Sequence, residues 1–194
     1  MSNLASPKWT KQILLVLSFF APLHPWSVSQ RVHTTSPPMR RWEALAPDIA
    51  EALRRSGQTC PSGQDNIQVL DAFDTGGLSV ALVDYCQSGA STDSIVAMQL
   101  EAGKPVVSRF LKPNGAKLDV ELLSGASVMH SDAVTLVPEK KAILHTSTMS
   151  DATGRPSQCT VKAYVWNPRL RAFQMNSRAS REAEDNMCGT EQTR

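Results

Sequence analysis

The sequence has no apolar run long enough to span a membrane as a helix, which needs about twenty residues. Its most apolar run, residues 13–21, follows Lys8 and Lys11, and the first thirty residues contain no acid. A basic start followed by a short apolar run is typical of a secretory signal peptide, and small residues precede a cleavage site after Ser29. We therefore predict a signal peptide over residues 1–29. The alternative is that residues 10–23 form an N-terminal membrane anchor or a core helix.

The remainder lacks an excess of either charge. Once residues 1–29 are removed, 18 of the 20 Lys and Arg residues remain beside all 18 Asp and Glu residues. The basic residues are scattered, a pattern that argues against nucleic acid as a partner. No membrane association is expected after signal cleavage. We expect a secreted or periplasmic protein whose partner is another exported protein or an envelope polymer.

The sequence also lacks the motifs of metal and nucleotide sites. No two of the four cysteines are close enough to form the C-x-x-C pair of a zinc site. The acids do not follow the alternate spacing of a calcium loop, and no glycine-rich phosphate loop occurs. We predict no metal and no cofactor.

The four cysteines lie beyond the predicted cleavage site. An even number in an exported chain indicates two disulfides, with three possible connectivities. We favour Cys60–Cys86 and Cys159–Cys188, since each bridge closes a loop of about thirty residues. In the chain-entropy model such a loop contributes about 3–4 kcal/mol to stability.

The chain after the signal peptide begins with a proline-rich segment. Residues 30–46 are predicted to be an extended linker, because consecutive prolines such as Pro37 and Pro38 favour polyproline geometry. A short helix is predicted over residues 47–56, where apolar side chains recur at spacings of three and four. The single disulfide-linked domain is expected to cover residues 47–194.

From Ile67 onward, runs rich in Val, Ile, Leu and Thr alternate with turn-forming clusters of Gly, Pro and Asn. Residues 78–83 are apolar on both faces, which predicts a central, covered strand. A charged helical tail is expected after Ser177. The predicted fold is mainly β, an antiparallel sheet that is sandwich or barrel-like, with one short N-terminal helix and a short C-terminal helical tail. About nine strands are predicted, at residues 67–73, 78–86, 94–101, 105–111, 117–123, 127–137, 141–149, 159–166 and 171–176.

Aromatic residues are few, at 6% of the chain. Trp166 lies near the end of a predicted strand, where an exposed indole could contact a carbohydrate or a peptide. Tyr164 and Tyr85 are the other candidate ligand-binding residues. The alternative for these rings is packing in the core.

One tripeptide resembles a catalytic loop. Asp74-Thr75-Gly76 resembles the Asp-Thr-Gly loop of aspartic proteases, in which two carboxylates share one proton. The chain has one copy, so this chemistry would require a homodimer. The alternative is an ordinary hairpin turn, in which the glycines adopt positive φ.

The histidines permit a second catalytic arrangement without establishing it. His130 and His145 fall in neighbouring predicted strands, which could bring them near Ser127, Ser131 or Asp132. The G-x-S-x-G motif of a nucleophile elbow is absent. We therefore assign no catalytic residue.

The predicted function is that of an exported, non-enzymatic binding or structural domain. The first alternative is a secreted hydrolase that uses Asp74. The second is an inhibitor of an exported hydrolase, since a small disulfide-linked domain can hold a loop rigid.

Overall fold

Short strands joined by glycine- and proline-containing turns dominate the structure, a computed structural model. It describes residues 36–58, 60, 67–87, 92–120, 122–127, 129–153 and 156–188. The predicted signal peptide and its cleavage site lie outside the described residues. The prediction of a mainly β fold with a large antiparallel sheet is confirmed.

The helices lie near the two ends of the described chain. They are α1 (Pro37–Glu43), α2 (Ala46–Arg55) and α3 (Ser177–Cys188), with a short 3₁₀ turn over Pro138–Lys140. The strands are β1 (Gln68–Thr75), β2 (Leu78–Gln87), β3 (Thr92–Glu101), β4 (Lys104–Val107), β5 (Phe110–Leu111), β6 (Lys117–Leu118), β7 (Leu122–Ala126), β8 (His130–Val137), β9 (Ala142–Ser150), β10 (Pro156–Asn167) and β11 (Ala172–Met175).

All eleven strands belong to one sheet, in the order β1-β2-β3-β7-β8-β9-β10-β11-β5-β6, with β4 also paired to β3. The pair of β11 and β5 is parallel, and the other pairs are antiparallel. Between β4 and β5, residues 108 and 109 continue the pairing of β4 with β3 and that of β5 with β11. Ser108 donates its backbone N–H to Ala97 on β3, and Arg109 accepts from Phe173 on β11. Strands β3 and β11, which are far apart in the strand order, are therefore connected through β4 and β5. The sheet must curve for this to happen, and it takes a barrel-like form.

The concave side of the curved sheet holds one apolar core. Phe110, Tyr164 and Phe173 form a group of aromatic rings within it. Their ring centroids lie 5.0 Å apart for Phe110 and Tyr164 and 5.8 Å apart for Phe110 and Phe173. Such contacts add to the stabilisation from burial. The other buried members are Phe73, Leu78, Val80, Leu82, Ile95, Ala97, Leu122, Leu136 and Ile143.

A second core lies between β1–β3 and the two N-terminal helices. Trp42 of α1 and Ile49 of α2 are fully buried there. Strand β2 contributes to both cores, because Val80 and Leu82 pack on one side and Ala81 and Val83 on the other. The prediction of a covered central strand is therefore confirmed.

Helix α1 corrects the expectation of an extended segment for residues 37–43, while residues 30–35 of that predicted linker lie outside the described residues. Pro37 and Pro38 occupy the first turn, where proline costs no hydrogen bond because those N–H groups have no partner within the helix. The Ser36 side chain caps the helix by accepting from the N–H of Met39 at 3.4 Å. Burial of Trp42 then favours a helix over polyproline geometry.

Two predicted strands are each divided in the structure. The segment 105–111 forms β4 and β5, because it changes partner from β3 to β11. The segment 117–123 forms β6 and contributes the beginning of β7, which pair with β5 and β3 respectively. Helix α2 and the remaining strands lie at the predicted places, within a few residues at their ends.

The two disulfides have the connectivity favoured from the sequence. Cys60 is bonded to Cys86 and Cys159 to Cys188, at separations of 26 and 29 residues. The second bridge joins the last residue of α3 to β10. No side chain of α3 is fully buried among the described residues. The Ser180 hydroxyl also connects α3 to β10, where it accepts from the N–H of Ala163. The disulfide is thus a main restraint on α3.

We expect Trp42→Ala to lower the free energy of unfolding by about 3–5 kcal/mol, because it removes a fully buried indole. The indole also donates to the Ser79 hydroxyl at 3.1 Å. Urea denaturation measures the effect, and Glu43→Ala, an exposed change in the same helix, is the control. A loss in Trp42→Ala no larger than in the control would contradict the packing of α1.

We expect replacement of both Cys159 and Cys188 by Ser to lower stability by about 3–4 kcal/mol, as the loop length implies. Hydrogen exchange should show faster exchange throughout α3, while β1–β3 keep their protection. Unchanged protection of α3 would mean that other contacts hold the helix.

Candidate functional site

A cleft of about 650 Å³ lies beside the β10–β11 hairpin, and Trp166 is one of its walls. Asn167 organises the turn, since its Oδ1 accepts from the backbone N–H groups of Arg169 and Leu170. Its Nδ2 donates to Oε1 of Gln174 at 3.0 Å. Gln174 in turn donates to the carbonyl of Pro113 at 2.9 Å. The amide side chains of the cleft thus hold its walls in place.

Trp166 is half-buried, and its ring packs edge-on against Phe173 at a centroid distance of 5.3 Å. Its backbone N–H donates to Lys141 at 2.9 Å. Within the part of the chain that the structure describes, neither the indole Nε1 nor the Arg169 guanidinium has a hydrogen bond or an ion pair. None of the described residues that line the cleft is acidic. Trp166 and Arg169 both line the cleft, and these two donor groups have no partner among the described residues.

The other two aromatic candidates lie elsewhere. Tyr164 is buried in the core beside Phe110, and burial raises the pKa of its hydroxyl. Tyr85 lines a different cleft, of about 450 Å³, and its hydroxyl donates to Oε1 of Gln58 at 2.8 Å. The structure does not bring these three rings to one site.

Asp74 is the second-last residue of β1, close to the turn that leads into β2. Gly76 and Gly77 have φ values of 53° and 78°, as a tight hairpin turn requires. The carboxylate lies 3.4 Å from the guanidinium of Arg41. Among the described residues, Asp74 thus pairs with a cation, whereas the aspartic protease mechanism needs a second carboxylate.

Strands β8 and β9 bring a set of polar side chains together. This β8–β9 cluster consists of His130, Asp132, His145 and Ser147. Asp132 pairs directly with Ser147 across the two strands. His130 is two residues before Asp132 on β8, and His145 is two residues before Ser147 on β9. Because side chains alternate along a strand, all four lie on the face that carries Leu136 into the core.

Short interatomic distances connect Ser147 to His130, His130 to Asp132, and Asp132 to His145. Nε2 of His130 lies 2.9 Å from the Ser147 hydroxyl, and its Nδ1 lies 3.4 Å from Oδ2 of Asp132. Oδ1 of Asp132 lies 3.4 Å from Nε2 of His145. Both 3.4 Å contacts of Asp132 lack hydrogen-bond geometry, so both are electrostatic.

The two carboxylate-facing histidines differ in burial. The side chain of His145 is 12% exposed and that of His130 is 48% exposed. Burial lowers the pKa of His145, although the nearby Asp132 carboxylate opposes this effect. Lys162 on β10 also favours the neutral form of His145.

Ser127 and Ser131, the serines singled out from the sequence, have other positions. The Ser127 hydroxyl bonds to the backbone of His130 in the connection before β8. Ser131 is exposed, and strand alternation places it on the face opposite to Asp132. Ser147 was not identified from the sequence, because its approach to His130 depends on the pairing of β8 and β9.

Among the described residues, no three His, Cys, Asp or Glu side chains are grouped so that they could hold a metal ion. In the same part of the chain, no helix is both long enough and apolar enough to cross a bilayer.

Comparisons with known proteins gave no match to a family model, to a curated protein or to a solved structure.

We expect the stability of the protein to fall as the pH is lowered from 7 to 5, with His145 as one cause. The unfolded state takes up a proton near pH 6.5, whereas the lowered pKa keeps folded His145 neutral to a lower pH. Stability is therefore lost from about the unfolded-state pKa downward, until folded His145 also becomes protonated. His145→Asn should show a shallower pH dependence in urea unfolding. The same pH dependence in both proteins would contradict this assignment.

Proposed function

We propose that the protein is an exported binding domain and that the cleft beside Trp166 receives its ligand. The observation that carries this proposal is the half-buried indole in a cleft of about 650 Å³. Binding sites commonly combine an aromatic wall with a few polar groups that orient the ligand. Trp166 supplies the wall, and its Nε1 and the Arg169 guanidinium supply donors.

The walls of the cleft favour binding because they are already ordered. Asn167 and Gln174 hold the turn through side-chain hydrogen bonds, and Asn176 caps α3 by accepting from the N–H of Arg178 and Ala179. A preformed site loses little conformational entropy when a ligand binds. The disposition of donors suits a ligand rich in hydroxyl or carbonyl acceptors, such as a carbohydrate or an extended peptide.

Export to the periplasm or the cell exterior is part of the proposal. Two disulfides are typical of proteins in an oxidising environment outside the cytosol. The basic and apolar pattern of the first thirty residues supports the same location. In such a compartment, an envelope polymer or another exported protein would supply the ligand.

We expect Trp166→Ala to weaken ligand binding at least tenfold, about 1.4 kcal/mol, because it removes the stacking surface. The probes are a hexamer of β-1,4-linked N-acetylglucosamine and a pool of acetylated octapeptides, each titrated calorimetrically into the oxidised protein. Leu170→Ala is the matched control, since Leu170 is exposed in the same turn but does not line the cleft.

Binding of either probe that depends on Trp166 but not on Leu170 supports the proposal. Equal affinity of the wild type and Trp166→Ala would show that any ligand binds elsewhere. If neither probe binds, the cleft does not recognise these two classes of ligand and the proposal fails.

A further inference from the structure

The β8–β9 cluster has the connectivity of a nucleophilic site. The Ser147 hydroxyl contacts one ring nitrogen of His130 at 2.9 Å, and the other ring nitrogen faces the Asp132 carboxylate at 3.4 Å. A serine, a histidine and an aspartate in this order are the arrangement that activates serine in many hydrolases, on unrelated folds. The arrangement is recognised by geometry, because its order along the chain varies.

We propose that Ser147, His130 and Asp132 form a catalytic site that hydrolyses carboxylic esters. In it, Ser147 is the nucleophile, His130 is the general base and Asp132 orients the imidazole. This activity goes beyond ligand binding, and it does not depend on the cleft beside Trp166.

Burial within the cluster suits these roles. Asp132 has a side-chain exposure of 9%, whereas His130 is 48% exposed. The orienting carboxylate is thus shielded from water, which strengthens its interaction with the imidazole. The histidine, which must exchange protons with substrate and water, remains accessible.

The neighbouring side chains define the class of ester. Met149 pairs with His130 across the sheet and is 50% exposed, so an apolar surface lies beside the base. A short acyl chain can pack there. On β10, Thr160 pairs with Ser147 and Lys162 pairs with His145, which places a hydroxyl and an ammonium on the same face. Both can donate to the oxyanion of the intermediate.

The reaction balances with water as the only co-substrate. The Ser147 oxygen forms a bond to the acyl carbon while its proton passes to Nε2 of His130. The alkoxide leaves with that proton, and an acyl-serine remains. His130 then takes a proton from water, and the resulting hydroxide attacks the acyl carbon. The bond between that carbon and the Ser147 oxygen breaks, and the Ser147 oxygen takes the proton back from His130. The products are the carboxylic acid and the alcohol, and the site is restored.

A fluorophosphonate probe tests the nucleophile directly. Attack by Ser147 would form an oxygen–phosphorus bond and release fluoride, and mass spectrometry of the peptides would locate the added group. The oxidised full chain is used, with His130→Ala, Ser147→Ala and Ser131→Ala. Ser131 is the matched control, because it lies on β8 but faces away from the cluster.

We expect labelling of Ser147 in the wild type and in Ser131→Ala at similar rates. His130→Ala should reduce the rate about a hundredfold or more, the usual contribution of a general base. Hydrolysis of p-nitrophenyl butyrate should follow the same order, and Ser147→Ala should lack it.

Three results would each overturn the proposal. They are wild-type protein that remains unlabelled at Ser147, labelling of Ser147 that is equally fast in His130→Ala, and ester hydrolysis that persists in Ser147→Ala. The first needs no variant, so misfolding of a mutant cannot obscure it. Ligand binding at the cleft would be unaffected by any of these results, which separates this test from that of the binding function.

Discussion

The fold depends on the burial of β2 on both of its faces. Its alternate side chains enter two separate cores, one inside the curved sheet and one under α1 and α2. Val80 and Val83, which belong to different cores, are both fully buried. Loss of either core would therefore expose apolar side chains of β2 to water. Burial of such side chains is the main source of stability. The helices and the curved sheet are thus coupled through β2.

A structural element can be predicted from the sequence when a pattern in its own residues decides its structure. It cannot be predicted when a contact with a distant part of the chain decides it. The apolar pattern of residues 78–83 identifies β2, because a strand buried on both faces has no polar alternation. The pairing favoured for the four cysteines, one of three possible connectivities, is also the observed one. By contrast, consecutive prolines are compatible with both polyproline geometry and the first turn of a helix. Only the burial of Trp42, a tertiary contact, decides between them for α1.

The candidate sites show the same limit. Trp166 can be found from its place beside a proline-containing turn, but the ordered cleft around it depends on Pro113, which is far away in the chain. Ser147 lies 17 residues from His130, and the register of β8 and β9 alone makes them neighbours. Ser127 and Ser131 are nearer to His130 in sequence. In a sheet, proximity along the chain is a poor guide to which polar side chains share a face.

The parallel pair of β5 and β11 has a consequence for the order in which the chain folds. It joins Phe110 to Phe173, so the curved sheet cannot close until residues near the C-terminal end of the domain are present. Contacts between such distant segments form late, because the long intervening loop must be closed first. If the chain emerges from a membrane N-terminus first, β1–β3 and the two helices can assemble while β11 is still crossing. During that interval Phe110 and its neighbours remain open to water and to chaperones of the receiving compartment.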